Sequence, residues 1–400
     1  MATVPAHNPI HSRADELASG PRDPLRFDPL LLLAVVGLLV CYVVVLGNAT
    51  RDDIPGSPHY YVIRQGVYGA VGLVLMVLLT RLDYSRLREL KYGLYGVMIG
   101  LILLVLALGT AARGSKRAIA LPFFSFQPAE LGKLLLILAT AAFVVDRVRK
   151  LRDRDTTARV MLLALVPALL VMLEPDLGSG FVYVSIALAI LFVAGTSWRH
   201  FVALLAIAGV GITFTLVVAP AAGVQVLKPY QQQRLTGFLN PSSDPRDQTY
   251  QINQSRIAIG SGQKSGRGAA QATQTRLNFL PEHHTDFVFA VVGEEFGFLG
   301  AAVVLSLYAL LIWRTLRILT LAKNLYGALI AGGIVAMLMF QVFVNVGMTI
   351  GIAPITGIPL PLMSYGGSSV ITTLLALGLL QSIYAQGRAA AALKGRVLTY

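Results

Sequence analysis

The 400-residue chain has little charge and almost no cysteine. Only 13% of its residues are Asp, Glu, Lys or Arg, whereas 55% are hydrophobic. The single cysteine, Cys41, excludes an intrachain disulfide and any Cys-x-x-C metal or redox pair. Because the charges are few and the apolar residues collect in long runs, the composition is that of a membrane protein rather than of a water-soluble domain.

Apolar runs long enough to cross a bilayer recur along nearly the whole chain. The first of them, Pro29 to Gly47, contains no charged residue. Since lipid offers no hydrogen-bond partner to the backbone, repeated runs of this length predict a helical bundle. We expect an all-α polytopic membrane protein with ten helices, near residues 29–47, 61–80, 92–110, 128–145, 160–174, 178–195, 200–219, 285–313, 325–350 and 366–386.

The basic residues predict the orientation of these helices. The connecting segments on one side carry 20 Lys and Arg residues, and those on the other carry 11. The positive-inside rule therefore predicts cytoplasmic tails at 1–27 and 387–400, flanking a membrane domain at 28–386 with a large outer loop at 220–284. We attribute the net charge of +13 to contact with anionic lipid, and we expect no nucleic-acid partner.

Ionisable side chains within the predicted spans are candidates for function, because they are costly to place in lipid. Glu130 and Lys133 are three residues apart on one helix face, which predicts an ion pair. This pair either holds helices in register or contacts a substrate. Arg64 has no charged neighbour in sequence, which favours a substrate role for it.

Two further features receive a structural interpretation. Glu294 and Glu295 interrupt the eighth predicted span about 12 Å from its outer end, where a packing role is favoured. The glycine-rich segment Gly260–Gly268 lacks the residue order of a phosphate-binding loop. We interpret it as a flexible basic loop.

The densest group of reactive side chains lies where the outer loop meets the eighth span. It consists of Glu282, His283, His284 and Asp286. No metal-binding spacing is present, so we expect no metal site made of protein ligands alone. A divalent cation is expected at Asp286 only together with a phosphorylated substrate. The alternative for Asp286 is that it caps the following helix.

Five segments, in this order and spacing, resemble the SEDS family of bacterial cell-wall polymerases. They are Phe126–Lys133, Glu174–Ser179, Phe279–Phe287, Gly293–Glu295 and Ser364–Ser369. Two more segments, Asn345–Gly351 and Gly357–Gly367, resemble the elongation branch of the family, the RodA type, rather than the related division branch, FtsW.

The resemblance implies a peptidoglycan glycosyltransferase that polymerises lipid II on the outer side of the cytoplasmic membrane during cell elongation. It implies an essential acidic residue at Asp286 and functional residues at Arg64, Glu130 and Lys133. We expect Asp286 to be the general base, with substrate contacts at these three residues and at Glu282 and His284. Positive charge for the leaving pyrophosphate is expected from Arg64, Lys133, loop arginines or a divalent cation, Mg²⁺ or Mn²⁺, bound with the pyrophosphate. The implied partners are a class B penicillin-binding protein, which is a transpeptidase, and other membrane proteins of the elongation complex.

One departure and two alternatives accompany this resemblance. The family usually has tryptophan where this chain has Ala118, within Lys116–Ile119.

Intramembrane charges also occur in transporters, so a flippase for the same lipid-linked precursor is one alternative. The other is a noncatalytic scaffold of the elongation complex. Glycan synthesis from lipid II in detergent, where no vesicle exists, distinguishes the enzyme from both.

Overall fold

A computed structural model describes residues 27–51, 54, 56–112, 115–120, 123–174, 176–223, 248–277 and 279–397. In these residues the helices are α1 Pro29–Ala49, α2 Tyr60–Thr80, α3 Lys91–Leu108, α4 Pro128–Val145, α5 Arg154–Leu173, α6 Leu177–Val193, α7 Trp198–Ala221, α8 Gln248–Gly262, α9 Thr273–Arg276, α10 Val288–Leu321, α11 Leu325–Ile350 and α12 Gly367–Val397. All except α8 and α9 are apolar. Nine are long enough to cross a membrane, and α6 is an apolar helix of 17 residues.

The prediction of an all-α, multi-pass membrane protein is therefore confirmed. Most bounds agree with the predicted ones. However, α5 begins at Arg154 instead of residue 160, α10 continues to Leu321 instead of residue 313, and α12 continues to Val397, so the predicted C-terminal tail begins as helix. The predicted N-terminal tail up to residue 26, loop residues 224–247 and the last three residues lie outside the described part of the chain. Helices α4, α11 and α12 are the most buried of the spanning helices, whereas no residue in the spanning window of α7 is buried.

Short strands, which the sequence analysis did not predict, lie between α3 and α4. They are β1 Thr110–Ala112, β2 Ser115–Ala120 and β3 Ser125–Phe126, paired antiparallel in that order. The loop helix α8 packs beside α10 and α11, where the Ser255 hydroxyl donates to the Thr349 carbonyl over 2.7 Å. We call the end of the bundle that carries the strands, α8 and α9 the loop face.

Helix α10 is broken at Gly297, whose backbone has φ +63°. A Cβ at this position would lie 2.3 Å from the Gly266 nitrogen, so only glycine fits. The prediction that Gly260–Gly268 is a flexible loop is wrong, since the amides of Arg267 and Gly268 donate to the carbonyls of Glu294 and Glu295 over 2.9 and 3.0 Å. The two glutamates thus lie at a break on the loop face, not inside a continuous span.

A non-helical segment, residues 351–366, connects α11 to α12 and enters the bundle. The Tyr308 hydroxyl, eleven residues beyond the break in α10 and thus about 16 Å further along that helix, donates to the carbonyl of Pro361. Leu360, Leu362 and Met363 are fully buried. Irregular backbone is tolerated at this depth because protein, not lipid, surrounds it.

At the opposite end of the bundle, charged side chains connect three helices. Asp28 caps α1 by accepting from the amides of Leu30 and Leu31 over 3.1 and 3.0 Å, and it also pairs with Arg314. The side chain of Gln381 in α12 joins the same group. These contacts hold α1, α10 and α12 together at the end of the bundle away from the loop face.

Candidate active site

Asp286 lies at the end of a tight turn just before α10. The amides of Thr285 and Asp286 both donate to the carbonyl of Glu282 over 3.1 Å, and Glu282 itself has a positive φ of 56°. Helix α10 begins at Val288, and its N-cap position is held by Phe287 without a side-chain cap. The N-cap position thus belongs to Phe287 and not to Asp286, which is partly exposed.

The non-helical segment holds this turn from one side. Gly357 packs against the Asp286 carboxylate, since a Cβ on Gly357 would lie 3.6 Å from Oδ2. The hydroxyl of Ser364 donates to the Thr285 carbonyl over 2.6 Å, and the Tyr365 amide donates to the His284 carbonyl over 2.9 Å. The position of Asp286 is thus set by contacts that its turn receives from a segment some seventy residues further along the chain.

Aromatic rings connect the Asp286 turn to α2. The ring of Tyr61 lies 4.9 Å from that of His284 and 5.0 Å from that of Tyr365, measured between centroids. The Arg64 guanidinium lies 4.5 Å above the Tyr60 ring, in the electrostatic neighbourhood of the Tyr365 hydroxyl. Sequence analysis selected Arg64, His284 and Asp286 separately, and the structure brings them into one group.

Tyr365 is a hydrogen-bond donor at physiological pH. Burial raises the pKa of Tyr365 to about 12, and the neighbouring Arg64 only partly opposes this rise. The hydroxyl therefore stays protonated and neutral. The Glu282 carboxylate forms a hydrogen bond within its own turn, because Oε2 accepts from the Thr285 hydroxyl over 3.0 Å.

The predicted ion pair of α4 is present. Nζ of Lys133 lies 2.6 Å from Oε1 of Glu130, and both side chains are almost completely buried. The start of α4 is joined to the start of α12, since the Gln127 amide donates to the Ser368 hydroxyl over 2.9 Å. Because Ser368 follows the non-helical segment directly, the pair belongs to the same loop-face region as Asp286.

Glu174, in the Glu-Pro-Asp motif, has an environment that the sequence did not predict. Glu174 is 1% exposed, neither of its carboxylate oxygens has a hydrogen-bond partner among the described residues, and its carbonyl accepts from Arg117 Nε over 3.3 Å. Burial raises the pKa of Glu174 to about 8, Asp176 adds to the rise, and Arg117 opposes it. Asp176 itself caps α6 through the Ser179 amide, 3.0 Å away.

The described residues contain no group of three or more His, Cys, Asp or Glu side chains suited to hold a metal ion. The carboxylate that a cation would use at this site is that of Asp286. A single carboxylate fits a hard divalent ion only if phosphate oxygens complete its coordination. The expectation of a cation bound with a phosphorylated substrate stays a prediction.

Comparison with known proteins agrees with the motifs. The sequence pattern of the cell cycle protein family FtsW/RodA/SpoVE matches residues 25–389. The chain is 38% identical to the peptidoglycan glycosyltransferase MrdB of Escherichia coli K12 over 362 residues, covering 90% of this chain and 94% of MrdB. It is 33% identical to the peptidoglycan glycosyltransferase RodA of Treponema pallidum, covering 90% of this chain and 98% of that protein.

Solved structures show the same relationship. A chain from a peptidoglycan synthase complex that coordinates polymerization and crosslinking superposes with a TM-score of 0.74 at 34% identity, covering 91% of this chain and 99% of that one. The rod shape determining protein RodA of Thermus thermophilus superposes with a TM-score of 0.65 at 32% identity, covering 90% and 97%. The predicted resemblance and the predicted glycosyltransferase class are thus confirmed: the chain belongs to the FtsW/RodA/SpoVE family.

Proposed function

We propose that this chain polymerises lipid II, the lipid-linked disaccharide-peptide precursor of peptidoglycan, during cell elongation, with Asp286 as the general base. The observation that best supports the proposal is the position of Asp286 and the contacts that hold its turn. Its carboxylate is partly exposed on the loop face, and contacts from Asn345, Gly357 and the Ser364–Tyr365 pair hold its turn in place. A catalytic base must be reachable and firmly oriented, and this residue is both.

In the proposed reaction, the 4-hydroxyl oxygen of one sugar attacks C1 of another. The new C1–O bond forms as the bond from C1 to the polyprenyl pyrophosphate breaks. The hydroxyl proton passes to the Asp286 carboxylate, and the electron pair of the broken bond leaves on the pyrophosphate. A sugar hydroxyl is a weak acid, so removal of its proton in the transition state contributes about 10²-fold or more to the rate.

The leaving pyrophosphate requires positive charge. Arg64 is partly exposed and always ionised, so it suits direct contact with phosphate oxygens. Lys133 is 1% exposed and paired with Glu130, so we assign it an indirect contribution through its field rather than contact. We assign the sugar-facing contacts to His284 and Glu282 beside the base.

Asp286 would hold a divalent cation, Mg²⁺ or Mn²⁺, only together with the substrate pyrophosphate, and the ion would supply positive charge for the leaving group. Polymerisation should then be lost in excess EDTA and restored by either ion. Glycan synthesis that continues unchanged after exhaustive chelation would remove the cation from the proposal and leave the charge to Arg64.

We further propose that the chain lies in the cytoplasmic membrane with both termini in the cytoplasm and the loop face outside. The proposed partners are a class B penicillin-binding protein, supplying transpeptidase activity, and other membrane proteins of the elongation complex. The similar chain in a synthase complex that coordinates polymerization and crosslinking supports the first of these.

The test is glycan formation from lipid II by purified protein in detergent, with the penicillin-binding partner present. Asp286→Asn keeps the side-chain shape but cannot accept the hydroxyl proton, so polymerisation should fall by about 10²-fold or more while thermal stability is retained. Asp286→Glu should also lose much of its activity, because the carboxylate shifts by about one methylene.

The matched control is Asp155→Asn, which removes an exposed carboxylate paired with Arg159 on the opposite face. It should polymerise like the parent. If Asp286→Asn polymerises near the parental rate, Asp286 is not the base. If the parent makes no glycan from lipid II in this assay, the chain is a transporter or scaffold instead.

A further inference from the structure

A cavity of about 430 Å³ opens on the loop face, between the end of α1 and the loop that contains α9. Its charged lining residues are Arg51, Arg276 and Glu295, and four of its other lining residues are alanines. This volume lies within the range of small-molecule binding sites. The proposed reaction centre does not include these residues, and the sequence analysis gave Glu295 only a packing role.

The cavity is lined by acidic and basic side chains. Glu295 is 3% exposed, and one of its carboxylate oxygens accepts from the Asn48 side-chain amide over 3.2 Å. Arg51, just after α1, and Arg276, at the end of α9, are both exposed. A ligand with carboxylate and ammonium groups complements all three side chains, whereas a bare diphosphate offers no group to Glu295.

The wall of the cavity is held rigidly by the neighbouring glutamate. Glu294 accepts from the amides of Gln274 and Thr275 over 2.8 and 3.0 Å, and from the Thr275 hydroxyl over 2.7 Å. These three bonds attach α9 to α10. The position of Arg276 relative to Glu295 is therefore set before any ligand arrives, which lowers the entropic cost of binding.

The distance to Asp286 indicates what the ligand is. Asp286 lies in the turn just before α10, and Glu295 lies seven residues beyond Val288, so about 10 Å of helix and part of that turn separate them. An extended peptide spans about 3.3 to 3.6 Å per residue, so about four residues bridge this distance. A short peptide attached to a sugar at Asp286 thus reaches the cavity, and small alanine-like side chains fit its walls.

We infer that this cavity binds the peptide branch of the lipid-linked substrate, with carboxylates at Arg51 and Arg276 and an amine at Glu295. The inference rests on the proposed function, since it assigns a specificity site to the same reaction. It makes the peptide, which takes no part in glycosyl transfer, a determinant of substrate binding.

The test compares two substrates in the same polymerisation assay, a lipid-linked disaccharide with its peptide and the same disaccharide without it. Arg51→Gln, Arg276→Gln and Glu295→Gln should each raise the KM for the peptide-bearing substrate by about 10-fold, the value of one charged hydrogen bond. Their kcat should stay within about two-fold of the parent, because the lost contact is a uniform binding contact. The KM for the peptide-free substrate should not change.

Arg267→Gln is the matched control, because Arg267 is an exposed loop arginine whose Nε donates to the Ser261 carbonyl and which does not line the cavity. It should leave both KM values unchanged. Equal effects of the cavity variants on both substrates, or none on either, would overturn the inference. If Glu295→Gln alone fails a thermal-melt check, the exposed Arg51 and Arg276 variants still decide.

If the parent polymerises neither substrate, the proposed function fails and binding decides the inference alone. Calorimetry with the soluble disaccharide-peptide should then show binding to the parent that Glu295→Gln or Arg51→Gln weakens about 10-fold. Parental affinity in both variants would overturn the inference.

Discussion

The side-chain amide of Asn345 donates two hydrogen bonds, one to the carbonyl of Asp286 over 2.9 Å and one to the carbonyl of Ile358 over 2.8 Å. A single buried amide in α11 therefore connects the turn that carries the proposed base to the non-helical segment that packs against it.

Asn345→Leu should reduce polymerisation by about 10-fold to 10²-fold, because an error of about 1 Å in the position of a base is enough for such a loss. It should also lower stability by about 1 to 3 kcal/mol for each carbonyl left unsatisfied. Glycan formation and thermal melting measure the two effects. Gln341→Leu, one turn earlier in α11, removes a buried oxygen that has no hydrogen-bond partner in the described part of the chain, and it should be milder. Equal effects of the two substitutions would contradict the positioning role of Asn345.

The Glu130–Lys133 pair should behave as a unit. Glu130→Gln or Lys133→Met alone leaves one buried charge uncompensated, which should destabilise the protein by about 3 to 5 kcal/mol. The double variant should recover most of the melting temperature but not all of the polymerisation rate. Single variants as stable as the parent would show that the pair does not hold α4 in place.

Glu174 should make stability depend on pH. Burial raises the pKa of this carboxyl to about 8 in the folded protein, while in the unfolded chain it titrates near its ordinary value. The folded state therefore binds the extra proton between about pH 5 and 8, and its stability falls as pH rises through that window. Above it both states are ionised, so the contribution of Glu174 to the slope disappears.

Glu174→Gln should accordingly flatten the decline in melting temperature between about pH 5 and 8. Asp155→Asn, at an exposed carboxyl, should keep the parental slope. The two pH profiles, measured in the same detergent, decide the matter. An unchanged slope in Glu174→Gln would mean that Glu174 is ionised throughout.

The proposed orientation predicts a labelling pattern. In a variant with Cys41 replaced by alanine, a cysteine at Ser265 on the loop face should react with a membrane-impermeant reagent in intact cells. A cysteine at Asp153, between α4 and α5, should react only after permeabilisation. The reverse pattern would place the loop face in the cytoplasm, away from the proposed substrate.

Sequence predicted the spans well where local signals mark their ends. Pro128 begins α4 and Gly351, with φ +82°, ends α11, and both helices have the predicted bounds. The break at Gly297 could not be predicted, because it depends on the close approach of Gly262 and Gly266, which lie more than thirty residues earlier. Within the apolar run itself, nothing distinguishes this glycine from a helical one.

The candidate site was predictable for its charged members and not for their supports. Arg64, Glu130, Lys133 and Asp286 are conspicuous because charges are rare in apolar runs. Tyr61, Tyr365 and Asn345 are ordinary in such runs, and only the tertiary contacts between α2, α11 and the non-helical segment show what they hold.

Because α10 is broken at Gly297, the depth of the proposed reaction centre in the membrane should not depend on the thickness of the bilayer. A bilayer that is thicker or thinner than the hydrophobic length of a helix makes that helix tilt. Because residues from Phe298 onward form a separate helical axis, tilting there does not carry Asp286 with it. Asn345, in the buried core helix α11, sets that depth instead. The proposed base should therefore stay at the same depth in the membrane when the lipid chains shorten or lengthen, even as the outer helices change their tilt.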